Sequence, residues 1–321
     1  MTIILLTYVN RSGSTYLANL LSASDSVCVC PEGDRLVSLF LESPGKTFYL
    51  NDQWKAKLFH ILKSDKKLSS WGIGDDVFSS LKDASRNIDA FIAFLRCYQL
   101  GQKPEASSIL FKAERLVDLF APIDRERGNG ISIKYLTLIR DPRAIYSSQK
   151  RTLIPGTKKK MSKNPVYTSI FWNHFMRVND INKRLINMHP ISYQDMVQKT
   201  EETFSSLAGY LELDLQGISP GEGDLKNRLP EGHITIHQSI DKLPDPLKIS
   251  QWKKELSQEE VGLIEDKCWK YLVAGGFERT LGGGPGLVRK CKLIYFTIIY
   301  YANRLQHIFS FQLKRILSNS E

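Results

Sequence analysis

The chain begins with a short, almost continuous apolar run at residues 3–8, and leucines recur at helical spacing from residue 15 onward. This pattern predicts a buried strand, a loop and a helix. A second buried strand is predicted at residues 135–139, followed by Asp141-Pro142 and a helix over residues 143–150. Shorter apolar runs that could complete a sheet lie at residues 27–30, 108–111 and 191–193.

Strands that alternate with helices favour a parallel α/β sheet, a fold class in which ligands bind at the carboxyl ends of the strands. The loops that follow the strands are therefore the places to look for chemistry. Residues 151–164 contain three consecutive lysines with Pro and Gly nearby, which predicts an exposed basic loop. The glycines at residues 282–286 predict a linker.

The composition is that of an ordinary globular protein, with 321 residues, 42% hydrophobic and 24% charged. Disordered, collagen-like and disulfide-scaffold classes are excluded. The net charge of +10 indicates an anionic ligand, a polyanion or an anionic membrane as a partner. Five scattered cysteines and the lack of a compact Cys/His set predict a reduced, cytoplasmic compartment and no metal site. The first residues do not resemble a signal peptide, and no apolar run is long enough to span a membrane.

The loop between the first strand and its helix reads Asn10-Arg11-Ser12-Gly13-Ser14-Thr15. Loop amides, the helix dipole and the Arg11 cation together suit a phosphate group. The alternative is an ordinary capped helix start, where Ser and Thr are common. Because the loop has neither the leading Gly nor the Lys of a nucleotide triphosphatase loop, ATP is a poor first choice.

The loop resembles the 5′-phosphosulfate loop of sulfotransferases that use 3′-phosphoadenosine 5′-phosphosulfate, in the form common in carbohydrate and tyrosylprotein enzymes. Residues 135–148 resemble the family's 3′-phosphate motif, in which a strand ends in Arg and the next helix bears Ser. Arg140 and Ser148 are eight residues apart, as in the family. For Arg140 alone, an ion pair with Asp141 or a neighbour is the simpler interpretation. The two motifs in the right order favour the sulfotransferase family.

The resemblance implies a P-loop-like parallel sheet flanked by helices, a sulfotransferase domain over residues 1–280, and no metal. It does not cover the tail, where a helical C-terminal extension is expected. The donor's 5′-phosphosulfate would lie at Arg11 and the residues Ser12, Gly13, Ser14 and Thr15. Its 3′-phosphate would lie at Arg140 and Ser148, and Lys112 would contact the sulfuryl group. The segments that contain Tyr193, Gln251 and Trp252 resemble further motifs of the family more weakly.

A hydroxyl acceptor that attacks sulfur must lose its proton, so a general base is required. Glu32 is the candidate, because its spacing of twenty-one residues from Arg11 matches the catalytic Glu of tyrosylprotein sulfotransferases. The alternative is a solvated acid in a turn. Other members of the family use His as the base, which keeps four histidines as candidates: His60, His174, His233 and His237.

Variable loops at residues 38–87, 151–167 and 225–247 are expected to bind the acceptor and to determine which acceptor is used. A sugar hydroxyl of a glycan or glycolipid precursor is the first choice, a protein tyrosine the second, and a small alcohol or lipid the third. Two further hypotheses are a small-molecule kinase with a degenerate phosphate loop and a non-catalytic anion-binding or membrane-associated protein.

The segment from residue 287 to 320 carries six Lys or Arg residues and no acid, with apolar residues between them. One interpretation is a basic amphipathic helix on an anionic membrane, after a linker that starts at residue 281. The other is packing against the domain or a second subunit. Binding of nucleic acid is not expected, because the basic residues are not part of a recognised nucleic-acid-binding motif.

Overall fold

The computed structural model describes residues 1–31, 33–34, 36–37, 86–128, 130–225, 240–282 and 284–318, with isolated positions between residues 56 and 84. Side chains of the last helix are described as far as Gln306. Glu32, His233 and His237 lie outside the described residues, as do most of the two expected acceptor loops at 38–87 and 225–247.

A five-stranded parallel sheet forms the centre of the described fold, with the strand order β2-β3-β1-β4-β5. This confirms the predicted α/β class. The bounds of the strands are β1 Thr2–Tyr8, β2 Val27–Val29, β3 Ser108–Lys112, β4 Ser132–Ile139 and β5 Met188–Ser192. The expected strand at residues 191–193 starts earlier, and Tyr193 is instead the first residue of a helix, where the Ser192 hydroxyl accepts a bond from the Asp195 amide at 3.2 Å.

Helices cover both faces of the sheet. The described helices are α1 Ser14–Ser22, α2 Asn87–Gln102, α3 Phe120–Glu126, α4 Pro142–Arg151, α5 Pro165–Leu185, α6 Tyr193–Gln198, α7 Thr200–Leu211, α8 Leu247–Ser250, α9 Trp252–Glu255, α10 Gln258–Ala274 and α11 Leu287–Ser318. Short 3₁₀ helices lie at Glu114–Asp118 and Pro220–Glu222.

The first strand is continuously apolar from Ile3 to Leu6, and these residues are buried on both faces of the sheet. Ile3 and Leu5 pack into the hydrophobic cluster that includes residues of α2 and α3. Ile4 and Leu6 point to the opposite face, into the cluster that includes residues of α1 and α7. Burial of both faces is the usual state of a parallel strand covered by helices, and it removes the alternation of apolar and polar residues.

The strand order places a crevice between β1 and β4. The chain leaves β1 toward β2 on one side of the sheet, whereas it leaves β4 toward β5 on the other side. The connections after these two neighbouring strands therefore diverge, and such a switch point is where open α/β sheets bind ligands. The loop at residues 9–13 and the turn at Arg140 are the two sides of this crevice.

The basic segment near the C-terminus forms one helix, α11, and part of it packs against the domain. Its residues Leu293, Phe296 and Tyr300 contact a small cluster of buried residues, Val166, Ile170 and Leu263. Arg289 pairs with Asp266 at 2.9 Å, and Lys292 pairs with Glu259. On the other face of α11, Ile294 is 61% exposed and Ile298 is 62% exposed. Among the described residues, no helix has the length and apolar character needed to cross a bilayer.

Replacement of Phe296 by Ala should lower the free energy of unfolding by about 1 to 3 kcal/mol, because it removes apolar contact with the cluster on α5 and α10. Ile298→Ala is the matched control on the exposed face of the same helix and should change stability by no more than about 0.5 kcal/mol. Urea denaturation followed by circular dichroism measures both. Equal effects of the two substitutions would contradict the packing of α11.

Candidate functional site

The loop after β1 is tightly curled by two residues in the left-handed region, Arg11 at φ 77° and Gly13 at φ 94°. Both the amide and the hydroxyl of Ser12 donate to the carbonyl oxygen of Val9, at 3.0 and 2.6 Å. A Cβ on residue 13 would lie 2.7 Å from the Tyr193 ring. Glycine is therefore required at this position for the backbone conformation and for the approach of Tyr193.

Gly13 is also the N-cap of α1, and no side chain caps the helix. The alternative of an ordinary Ser- or Thr-capped helix start is therefore wrong. Ser14 and Thr15 lie in the buried first turn, with exposures of 5% and 7%. The N–H groups of a first turn have no acceptor within their helix, and the helix dipole adds partial positive charge there. The loop retains the features that suit an anion.

Glu114, a residue that the sequence analysis did not single out, fixes this loop to the end of β3. Its carboxylate accepts bonds from the Asn10 amide at 2.9 Å and from Asn10 Nδ2 at 2.7 Å. The Thr7 hydroxyl donates to the backbone oxygen of Glu114 at 3.1 Å. The sequence alone does not indicate this role for Glu114, because its partner Asn10 is 104 residues away in the chain.

Arg140 reaches from the end of β4 to the same loop. Its Nη1 donates to the carbonyl oxygen of Arg11 at 2.7 Å, and its guanidinium lies 4.0 Å from the centroid of the Tyr193 ring. Its Nε is buried and has no partner among the described residues. Burial lowers the pKa of Arg140, although Tyr193 and Asp141 act against this. The guanidinium thus retains one donor that no described residue uses.

The simpler interpretation of Arg140, an ion pair with Asp141, is wrong. Asp141 pairs instead with Arg143 at 2.7 Å and accepts a bond from its backbone amide at 2.8 Å. Arg143 also pairs with the fully buried Glu265 at 2.5 Å. Burial alone would raise the pKa of Glu265, but bonds from Thr280, Leu281 and Arg143 hold it below its usual value. This network fixes the start of α4.

The two predicted motifs meet in the structure. Arg11 Nε donates to the Ser148 hydroxyl on α4 at 3.1 Å, and Gln149 Nε2 donates to the carbonyl oxygen of Asn10 at 3.2 Å. Arg140 is already bonded to the backbone of Arg11. The structure therefore brings together Arg11, Gly13, Arg140, Ser148 and Tyr193, which are up to 182 residues apart in the sequence.

Lys112 is the last residue of β3 and is 2% exposed, with its ammonium 5.3 Å from the centroid of the Tyr8 ring. Trp252 is 4% exposed and lies under the guanidinium of Arg143 at 4.1 Å, while Gln251 Nε2 donates to Glu255 at 2.7 Å. Trp252 and Gln251 follow Lys248 closely in the chain. The carbonyl oxygen of Lys248 contacts the crevice, where it accepts a bond from Arg140 Nη2 at 3.3 Å.

Tyr16 is a second residue near the crevice that sequence reasoning missed. Its hydroxyl is buried and has no partner among the described residues. Burial raises the pKa of Tyr16 to about 12, and the neighbouring Tyr193 adds to the effect. The side chain therefore stays neutral and retains the capacity to donate a hydrogen bond.

The structure describes some of the candidate bases and not others. Glu32 is outside the described residues, but Gly33 next to it donates from its amide to the Lys112 carbonyl at 3.2 Å. Asp34 accepts a bond from the Glu114 amide at 2.7 Å, so this segment runs beside the end of β3. His174 Nε2 lies 2.8 Å from Asp118 Oδ1, and His60 is exposed.

A parallel sheet with cationic loops at the carboxyl ends of two central strands belongs to the α/β class that binds ligands at this edge. The model of the Sulfotransferase family matches residues 4–217, more than half of the chain. The chain therefore belongs to the sulfotransferase family, and the protein is an enzyme of sulfuryl transfer.

Two solved structures have a similar fold. The sulfotransferase domain from the Synechococcus PCC 7002 olefin synthase has a TM-score of 0.60 at 15% identity, covering 87% of this chain and 95% of that one. The sulfotransferase domain from the curacin biosynthetic pathway has a TM-score of 0.55 at 18% identity, covering 86% of this chain and 97% of that one. Comparison with curated protein sequences found no match.

Proposed function

We propose that the enzyme transfers a sulfuryl group from 3′-phosphoadenosine 5′-phosphosulfate to a hydroxyl of a carbohydrate. The observation that carries the proposal is the meeting of two predicted motifs, in which Arg140 and Ser148 both bond to Arg11. The N-terminus of α1 and the guanidinium groups of Arg11 and Arg140 meet at one crevice, which suits a donor that carries phosphate groups at two positions.

In this proposal the donor's 5′-phosphosulfate lies at the N-terminus of α1. The amides of Gly13, Ser14 and Thr15 and the side chain of Arg11 would bind its oxygens. The 3′-phosphate lies at Arg140 and Ser148, whose guanidinium and hydroxyl groups would bind its oxygens. Tyr193, Gln251 and Trp252 would border the nucleotide, and the contact of Tyr193 with Arg140 supports the first of these roles.

In the reaction, the acceptor oxygen attacks sulfur as the bond between sulfur and the bridging phosphate oxygen breaks. The acceptor proton passes to a base, and 3′,5′-adenosine bisphosphate leaves. Negative charge grows on the bridging oxygen, so a fixed cation nearby lowers the barrier. Lys112 is proposed for this role, because it is held at the end of β3, adjacent in the sheet to β1.

Glu32 is the proposed base. Its neighbours Gly33 and Asp34 bond to residues 112 and 114 at the end of β3, which supports the choice of an acid next to them in the chain as the base. His174 is the principal alternative among the histidines, because Asp118 orients its ring.

A glycan or glycolipid precursor is the proposed acceptor, with a protein tyrosine or a small molecule as the alternatives. The kinase hypothesis is not favoured, because the chain belongs to the sulfotransferase family. A cytoplasmic location and contact with an anionic membrane remain predictions. The exposed Ile294 and Ile298, with Lys290 on the same helix, support the membrane contact.

Arg140→Ala should weaken binding of 3′,5′-adenosine bisphosphate by about 1.5 to 3 kcal/mol, the usual contribution of a hydrogen bond to a charged group. Arg140→Lys should recover only part of this, because an ammonium lacks the guanidinium fork. Calorimetry measures both, with Arg184→Ala on exposed α5 surface as the control. Unchanged affinity in a folded Arg140→Ala protein would show that Arg140 serves only to hold the loop.

Glu32→Gln should lower turnover by about 10² or more while bisphosphate affinity stays constant, because the change removes proton transfer and leaves the donor contacts intact. The assay uses radiolabelled donor and an acceptor identified by labelling glycan extracts. Near-normal turnover would contradict the assignment and shift the search to His174→Gln.

In a flotation assay, the full chain should rise with anionic vesicles but not with neutral ones, and added salt should weaken the association. An Ile294→Ser/Ile298→Ser double variant should lose flotation, because it removes exposed apolar surface of α11 without touching its packed face. If the wild-type chain stays in the lower fractions with anionic vesicles, the prediction that α11 contacts a membrane is wrong.

A further inference from the structure

A long groove runs beside the proposed donor site, between α5, α11 and the 3₁₀ helix Glu114–Asp118. It consists of two cavities of about 650 and 390 Å³ that share Glu114, Phe171 and Tyr300 in their walls. We call it the lateral groove. It is distinct from the crevice between β1 and β4, although Glu114 connects the two.

The lateral groove opens at the phosphosulfate loop. The smaller cavity is lined by Val9 and Asn10, the first residues after β1. Glu114, which binds Asn10 with its carboxylate, lines both cavities. A molecule in the groove would therefore have one end beside the loop where the 5′-phosphosulfate is proposed to lie.

The larger cavity has an excess of positive charge. Its walls include Arg115, Arg177 and Arg304, and none of the three forms an ion pair with the described residues. The acids in the same walls have other partners, since Glu114 accepts bonds from Asn10 and Asp118 lies against His174. Three arginines in one concave surface favour a planar anion such as a carboxylate.

Aromatic residues line the groove between the loop at residues 9–13 and the three arginines. The rings of Tyr167 and Tyr300 lie 5.3 Å apart, and Tyr300 and Tyr301 lie edge to face at 5.3 Å. Tyrosine offers an apolar ring face together with a hydroxyl. This combination suits a sugar ring, whose faces carry C–H groups and whose edge carries hydroxyls.

One wall of the groove comes from α11, which lies outside the part of the chain that matches the family model. Tyr300, Tyr301 and Arg304 belong to this helix. Its position is held by the contacts of Leu293 and Phe296 and by the Arg289–Asp266 ion pair. The extension would thereby take part in recognition of the acceptor.

We propose that the lateral groove binds the acceptor and that the acceptor is an acidic saccharide. Its carboxylate is held by Arg115, Arg177 and Arg304, and its ring lies against Tyr167 and Tyr300. The hydroxyl to be sulfated lies at the Asn10 end of the groove. This inference rests on the proposed function and specifies its substrate class.

Calorimetry with two matched probes tests the inference, in the presence of 3′,5′-adenosine bisphosphate. One probe is an unsulfated chondroitin tetrasaccharide, and the other is the same tetrasaccharide with its carboxyl groups reduced to alcohols. The acidic probe should bind at least about tenfold more tightly, in line with hydrogen bonds to a charged group. Arg177→Gln and Arg304→Gln should each remove most of this difference and leave the affinity of the neutral probe unchanged.

Two control variants distinguish the groove from the general positive charge of the protein. Lys183→Gln on α5 and Lys290→Gln on α11 remove exposed cations that do not line the cavities, and both should retain the preference for the acidic probe. Equal binding of the two probes, binding of neither, or equal losses in control and groove variants would overturn the inference. Failure of the bisphosphate to bind wild-type protein would instead overturn the proposed function.

Discussion

The hydrogen bond from Arg140 to the carbonyl oxygen of Arg11 is the contact on which the arrangement of the site depends. It joins the turns after β1 and β4, whose connections leave the sheet in opposite directions. With the bond from Arg11 to Ser148, it connects the first loop both to the turn before α4 and to α4 itself. A guanidinium used in this way is costly to bury without an anion, and its neighbour Asp141 is already paired with Arg143.

The buried pair of Arg143 and Glu265 supports this unit from behind. Arg143 is enclosed by Asp141, Glu265 and the Trp252 ring, so the turn before α4 is fixed by α10 and by the segment at residues 247–255. A buried pair of this kind adds little net stability compared with apolar packing, but loss of one partner leaves an uncompensated charge. Its role here is to hold a geometry.

The sequence allowed prediction of the features that depend on neighbouring residues. The apolar runs of β1 and β4, the loop at residues 10–15 and the Arg140–Ser148 spacing are all local patterns. The contacts between Glu114 and Asn10, between Gly13 and Tyr193, and between α11 and α5 join residues far apart in the chain. Such contacts follow from the sheet order and from packing, which a single sequence does not specify. The family motifs predicted Tyr193 at the site, but not its contact with Gly13.

The small area through which α11 packs has a consequence for the dynamics of the protein. Among the described residues, the apolar cluster under this helix has three buried members, Val166, Ile170 and Leu263, whereas the sheet is covered by two large apolar clusters. Ion pairs of Arg289 and Lys292 add to the contact of the helix with the domain. Regions with few buried contacts open at a lower free energy than the global unfolding of the domain. Within the lateral groove, the wall formed by α11 is therefore the part expected to open first, while β1 and β4 stay paired. Opening of this wall would widen the groove without disturbing the strands that carry the loop at residues 9–13.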